Sequence, residues 1–244
     1  MNILKNKKCY IFDVDGTLTD PRQPVDKKFK DKFISWAQGK DLYISTGSDF
    51  SKTKEQVPKD MLECFKLIYC CMGNEVRTPI GTVIKSGVFK LPRQLNEDLL
   101  EYLEDSPFHY RTGNHMEYRP GMMNFSVVGR NADQEQRKEY EMWDKENNER
   151  SQLALYINQD YPELEATVGG SISIDIIRKG YDKGQIVQKL ISMGYDEIEF
   201  FGDRCFPGGN DYGIVRELRK TKKIKWKSTN VLGPNETLNY ILPI

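Results

Sequence analysis

The run FDVDGT (12–17) ends an apolar segment, Cys9-Tyr10-Ile11-Phe12, on two carboxylates, Asp13 and Asp15, two positions apart. On a strand, residues i and i+2 share a face, so both acids are expected to point into one small space. Charges that close repel, and the pair is tolerable only if one carboxyl keeps its proton or a cation sits nearby. An exposed turn at Asp15-Gly16 would explain the glycine but not two acids at the tip of an interior strand. A second apolar run, IEFFGD (198–203), also releases an acid, Asp203, and beyond the turn Pro207-Gly208-Gly209 come Asn210 and Asp211. Oxygen donors of this kind suit Mg²⁺. Only two histidines, His109 and His115, are present. That leaves little material for a histidine-rich zinc site or a Ser-His or Cys-His nucleophile, so carboxylates are expected to carry any acid–base chemistry.

The elements that must position these acids can be read from periodicity. Residues 26–40 put Phe29, Phe33, Trp36 and Ala37 on one helical face, with Asp26 as N-cap and Gly39 as stop. DLYISTG (41–47) reads as a strand, a helix starts at Ser48-Asp49, and FKLIYCC (65–71) is a third strand. This alternation predicts a parallel sheet with helical crossovers, whose ligands bind at the carboxyl ends of the strands. Near residue 80 the pattern changes. GTVIKSGVFKL, PFHYRTG, HMEYRPG and MNFSVVG are short β-rich runs, with helices expected over 94–104 and 133–158 and a strand pair at LEATV and SISIDII. The first pattern resumes with a helix over 182–194, the strand 198–203, a strand KIKWK (223–227) and a final helix in GPNETLNYIL. The predicted fold is α/β: a doubly wound, Rossmann-like parallel-sheet core with an inserted α+β cap built on an antiparallel sheet. The core is expected over 1–81 and 183–244 and the cap over 82–182, with hinges near 80–86 and 178–184 where Gly81, Gly87, Gly180 and Gly184 lie.

Composition excludes some classes of function. The 244 residues carry 36 basic and 36 acidic side chains, a balance that argues against a polyanion binder driven by bulk charge, so no nucleic acid is expected as partner. No apolar run reaches the ~20 residues of a membrane span, and the start shows no secretory h-region, so the chain is expected in the cytoplasm without a membrane partner. The five cysteines form no CxxC pair and are expected as reduced, mostly buried thiols. The Asn124-Phe-Ser126 and Asn235-Glu-Thr237 sequons are then chance.

DVDGT resembles the first motif of the haloacid dehalogenase superfamily of phosphoryl-transfer enzymes. The chain supplies three further segments similar to that superfamily's motifs, in order: STGS (45–48), Lys183 in GYDKG, and GDRCFPGGND (202–211). Within the superfamily the likeness is to the eukaryotic-type phosphomannomutases, through DVDGTLTDPRQ, EYRPGMMNFSVVGR, Arg137, GGSISIDI, GYDKG and FFGDRCFPGGND. It covers nearly the whole chain. CCMGNE (70–75) and Ile177-Arg178-Lys179 depart from the family's usual sequence at the core-to-cap crossings.

The resemblance implies an isomerase that transfers a phosphoryl group within mannose phosphate and so supplies GDP-mannose synthesis. Asp13 would be the nucleophile that forms an aspartyl phosphate. Mg²⁺ would be held by Asp13, the backbone carbonyl of Asp15 and Asp203, with Asn210 and Asp211 orienting Lys183 and the metal's waters. Asp15 would be the general acid/base. Lys183 would neutralise the cluster, and Thr46 or Ser48 would bond a phosphoryl oxygen, a choice the sequence leaves open. A mutase must also hold a second phosphate, for which Arg119, Arg130 and Arg137 are suited because guanidinium binds phosphate bidentately. Ser173 and Asp175 would bond sugar hydroxyls, Asn124 would add a hydrogen bond from the cap, and Arg22 would touch the ligand from the core side. A hexose 1,6-bisphosphate (glucose or mannose) is implied as activator, cap closure as the means of excluding water, and a homodimer through the caps as the assembly. Two other readings use the same residues. A cap-bearing sugar-phosphate phosphatase shares every core residue but has less need of three cap arginines. A non-catalytic sugar-phosphate-binding regulator would not require Asp13, Asp15, Lys183 and Asp203 together.

Overall fold

A computed structural model describes residues 7–222 and 224–242. In chain order the first elements are β1 (Lys8–Phe12), α1 (Lys27–Ala37), β2 (Asp41–Ser45), α2 (Phe50–Gln56), α3 (Lys59–Leu62), β3 (Phe65–Cys70), β4 (Glu75–Arg77) and β5 (Val83–Ser86). Then come α4 (Arg93–Asp105), β6 (Met116–Arg119), β7 (Met122–Phe125), α5 (Gln134–Asn147), α6 (Glu149–Asp160), β8 (Leu164–Gly169) and β9 (Ser173–Arg178). The chain ends on α7 (Gln185–Ser192), β10 (Glu197–Gly202), α8 (Tyr212–Lys220), β11 (Lys225–Asn230) and α9 (Pro234–Ile241). Two compact units form, one running to Ser86 and resuming at Tyr181, the other spanning Gly87–Gly180. The sequence reading set its joins at 81/82 and 182/183. In the structure β5 pairs antiparallel with β4 and so lies within the first unit's sheet.

The first unit is built on a seven-stranded sheet ordered β11-β10-β1-β2-β3-β4-β5. From β11 to β3 neighbours run parallel, and β4 and β5 add an antiparallel edge. Alternation along β1 decides the two faces. Cys9 and Ile11 pack with Ile186, Val187 and Leu190 of α7 and Ile214 and Leu218 of α8. Phe12 points the other way, stacking on Phe201 and meeting Phe33 of α1 edge-on. Asp26 caps α1, its carboxylate accepting the N–H groups of Lys28 and Phe29. Because both faces are covered, the strand ends are where polar side chains can gather.

The second unit holds a four-stranded antiparallel sheet, β6-β7-β9-β8. Met123 and Phe125 of β7 and Ile174 and Ile176 of β9 join one apolar core with Leu95 and Leu99 of α4, Tyr140 of α5 and Leu153 and Ile157 of α6. The alternate residues occupy the other face. Register places Glu117 opposite Asn124 and Asn124 opposite Asp175, one polar row across three strands.

Four expectations are corrected. The helix predicted over 133–158 is two helices, because Asn148 adopts a left-handed conformation (φ 57°) between α5 and α6. The buried Asp144–Arg150 ion pair, at 2.8 Å, bridges that break. PFHYRTG (107–113) forms no strand: the Arg111 guanidinium takes the carbonyls of Leu103, Ser106, Phe108 and Tyr110, which fixes the segment without a ladder. Of GTVIKSGVFKL, strand geometry is confined to Val83–Ser86. The strand read over 223–227 is β11, which runs on to Asn230, and Lys223 lies outside the described residues. Helix α8 was not read from the sequence, although Ile214, Val215 and Leu218 have helical spacing. All five cysteines are free thiols.

Candidate active site

Strand β1 ends at Phe12, and the N–H of Asp13 still bonds the Phe201 carbonyl at 3.0 Å, fixing Asp13 at the sheet's carboxyl edge. Lys183, fully buried, donates to Asp13 Oδ1 and to Asp211 Oδ1, each at 2.7 Å. Asp211 Oδ2 accepts the Arg204 N–H at 3.1 Å. Among the described residues Asp13, Asp203 and Asp211 form one group whose ligand oxygens lie within 4.8 Å of one another. Two glycines make the crowding possible. A Cβ on Gly16 would fall 2.6 Å from Asp203 Oδ2, and one on Gly202 would fall 2.4 Å from Asp211 Oδ2.

Two buried carboxylates and the half-buried Asp203 gather around one ammonium, with the Arg204 guanidinium 3.8 Å from Asp203 at the open side. Burial raises the Asp13 carboxyl well above the usual range, Lys183 opposes that, and Asp211 and Asp203 add to it. Asp203 is pushed up to about 6 by burial and by Asp211, against the pull of Arg204 and Lys183. Burial would lower the Lys183 ammonium, but Asp13 and Asp211 outweigh it and hold the proton on. Asn210 Oδ1 is buried and has no hydrogen-bond partner among the described residues. A hard divalent cation fits the three carboxylates, which offer only oxygen and carry excess negative charge, and Asn210, next to Asp211 in the chain, adds an unsatisfied carbonyl-type donor.

Asp15 stands apart from that group. The pleat that would place it beside Asp13 stops at Phe12, and the chain then turns through Gly16 (φ 74°). Its Oδ1 accepts the Arg22 N–H and Gln56 Nε2, both at 2.8 Å. Arg22 itself has a positive φ of 63°. Thr46 and Ser48 follow β2. Thr46 Oγ1 accepts the Ser48 N–H at 3.1 Å, while the N–H groups of Cys71 and Met72 bond the Ser48 and Thr46 carbonyls.

In the second unit, Arg119 Nη2 and Arg130 Nε reach the same oxygen, Glu117 Oε2, at 2.7 and 2.8 Å. Arg130 Nη1 donates to Ser173 Oγ at 2.9 Å, and Asn124 Nδ2 to Asp175 Oδ1 at 2.7 Å. A Cβ on Gly169 would stand 2.4 Å from Asp175 Oδ2, so that glycine leaves room for the acid. Arg137 lies in the first turn of α5, behind a capping box of Asp133 and Gln136. Its Nε and Nη2 donate to the carbonyls of Ala132 and Arg130, at 2.7 and 2.6 Å, so it braces the loop that carries Arg130.

Comparison with known proteins decides the family. The profile of eukaryotic phosphomannomutase matches residues 30–242. Phosphomannomutase 1 of Dictyostelium discoideum is 32% identical over 251 residues, covering 99% of this chain and 97% of that protein. The chain belongs to the eukaryotic phosphomannomutase family. Phosphomannomutases of Arabidopsis thaliana and Saccharomyces cerevisiae are 36% and 33% identical, covering 84% and 88% of this chain and 85% and 87% of their own lengths. Among solved structures, a haloacid dehalogenase-like hydrolase from Bacteroides thetaiotaomicron superposes with a TM-score of 0.56 at 14% identity, covering 98% of this chain and all of that one. A phosphatase of the same superfamily from that organism gives 0.54 at 17% identity, covering 96% and 94%. At such identities the likeness is one of fold.

Within this phosphomannomutase-family fold, two contacts had no signal in the sequence. Gln56 sits at the end of α2, 41 positions from the Asp15 it bonds, with no motif spacing to link them. Glu117 was read as part of a family-like segment, and only the register of β6 with β7 and β9 shows that it lies among the arginines.

Proposed function

We propose that the chain is a phosphomannomutase interconverting mannose 6-phosphate and mannose 1-phosphate, with Asp13 as nucleophile. The observation that supports this most is the buried Asp13–Lys183–Asp211 arrangement in a chain of this family. A carboxylate oxygen of Asp13 attacks phosphorus, the bond from phosphorus to the sugar oxygen breaks, and Asp15 supplies the proton that oxygen needs. With a hexose 1,6-bisphosphate as donor this frees a monophosphate. A substrate monophosphate then presents the hydroxyl at its unphosphorylated end, Asp15 takes that proton, and the phosphoryl group passes from Asp13 to that oxygen. The bisphosphate so formed gives up its other phosphate to Asp13 and leaves as the isomerised monophosphate. Asp15 suits this work because its Oδ1 is occupied by Arg22 and Gln56, which leaves Oδ2 to carry the proton. Lys183 stays charged and offsets the oxygens of the attacked group. Thr46 or Ser48 bonds a phosphoryl oxygen.

Mg²⁺ would be held by Asp13, Asp203 and Asp211 with the Asp15 carbonyl and Asn210, and when bound it shields the phosphoryl charge. Arg119 and Arg130 bind the phosphate that does not react, with Arg137 bracing the loop that carries Arg130. Ser173, Asp175 and Asn124 bond sugar hydroxyls, and Arg22 contacts the ligand. A hexose 1,6-bisphosphate loads Asp13 at the start and is regenerated between half-reactions. The enzyme works as a cytoplasmic homodimer, joined through residues of the 87–180 unit, and feeds GDP-mannose synthesis. Mixing with radiolabelled hexose 1,6-bisphosphate and Mg²⁺, then quenching in acid, should leave label on Asp13. The same label on an Asp13→Asn variant, or none on the wild type, overturns the reading.

A further inference from the structure

The Arg119–Glu117–Arg130 arrangement in the second unit is odd on electrostatic grounds. Two guanidinium nitrogens share one carboxylate oxygen at 2.7 and 2.8 Å, so they lie no farther apart than about 5.5 Å, where like charges repel. The arginine side chains are only 6% and 10% exposed, so water screens that repulsion weakly. Burial and the Arg119 charge both disfavour the cation on Arg130, and Glu117 and Asp175 offset them. Glu117, 27% exposed, is the most open member of the three and is not filling the core. Its position follows from register: Glu117 and Arg119 alternate on β6 and face the same side, and Arg130 arrives from the loop after β7.

We propose that Glu117 is a positioning residue that fixes Arg119 and Arg130 as a phosphate-binding fork before a ligand arrives. The proposal rests on the reading of this unit as the one that grips the non-reacting phosphate. Arg130 is then held from three sides: Nε by Glu117, Nη1 by Ser173 Oγ, and its own carbonyl by Arg137 Nη2. A fork already assembled loses little side-chain freedom when phosphate binds, and its two guanidiniums present a fixed pattern of donors. Without the shared oxygen, repulsion drives the two cations apart and each binding event must reassemble them.

Simple charge counting makes the opposite forecast, because deleting a nearby carboxylate should tighten an anion. The two views separate cleanly in a titration of the full-length protein with inorganic phosphate by calorimetry. EDTA strips metal, so the acidic cluster of the other unit repels the anion. Glu117→Gln keeps size but loses charge, and Glu117→Asp keeps charge but falls a methylene short of bridging. Positioning predicts that both weaken phosphate binding, by about tenfold, in protein that is still folded at the titration temperature, with Glu117→Gln also lowering the thermal midpoint because it strands two weakly screened cations. Tighter binding by Glu117→Gln, or wild-type affinity in Glu117→Asp, overturns the assignment. Arg119→Ala and Arg130→Ala controls should abolish the same binding. Phosphate that still binds both controls, or that fails to bind the wild type, overturns the phosphate reading itself and the proposal with it.

Discussion

The Lys183 ammonium is buried between Asp13 and Asp211, and those carboxylates keep it charged. Replacing it with Met leaves Asp13 and Asp211 buried without their cation. Breaking a buried pair from one side typically costs about 3–5 kcal/mol, and Lys183→Met should lose that much in urea unfolding near neutral pH. Acid should return part of the loss, since protonation removes the stranded charges; a loss of equal size at low pH would contradict this. The sign for the wild type follows from Asp203, raised to about 6 from 3.8. A carboxyl whose folded pKa lies above its unfolded one favours the folded state below the unfolded value, and that contribution disappears as pH climbs through the folded one. The metal-free protein should therefore lose stability from about pH 4 to about 6, and Mg²⁺, which competes with those protons, should raise Tm more at about pH 7.5 than at about pH 5. An equal rise at both would count against a carboxylate site. At this scale Asp13, Lys183, Asp203 and Asp211 were legible because motif residues converge on one sheet edge. Gln56 was not, because nothing in its local sequence points to Asp15.

Elements were legible where one period dominated. Phe29 and Phe33 announce α1, and Asp26 caps it as its side-chain chemistry suggests. They were misread where a tertiary contact overrode local pattern. Asn148 breaks a run that reads as one helix because the Asp144 carboxylate accepts both the N–H and the Nε of Arg150 across the corner. Residues 107–113 look like a strand but are pinned by the guanidinium of Arg111. Helix α8 is hard to read because it is short, and its apolar positions Ile214, Val215 and Leu218 span little more than one turn directly after the Gly-rich acidic loop. The capping box of α5 gives an element-scale test. Asp133→Ala removes the acceptor for the Gln136 N–H, observed at 2.9 Å, and should cost about 1 kcal/mol in urea unfolding. Because Arg137 springs from that first turn and bonds the Arg130 carbonyl, the variant should also raise KM for the sugar phosphate. Full stability and unchanged KM would show that the box neither holds the helix nor braces the loop.

Over the whole molecule, chemistry divides between two units with separate cores. The first concentrates carboxylates around one ammonium, and the second gathers guanidiniums around one carboxylate. Balanced totals of 36 acids and 36 bases hide this segregation, which is why net charge alone reveals neither site. No helix among the described residues is long and apolar enough to cross a membrane. The parallel-sheet core and the antiparallel insertion were both legible, because β-rich runs interrupt a strand–helix alternation that later resumes, whereas the antiparallel edge that β4 and β5 add to the core sheet was not. The register that joins Glu117, Asn124 and Asp175 into one row was not, since pairing between distant strands leaves no local mark. A phosphatase would need the acids alone, whereas a mutase needs both chemistries. The direct test follows mannose 1-phosphate with Mg²⁺ and a trace of glucose 1,6-bisphosphate, recording mannose 6-phosphate and free phosphate together. Isomerisation should run well ahead of phosphate release; phosphate released without isomerisation would contradict the account and make the protein a hydrolase.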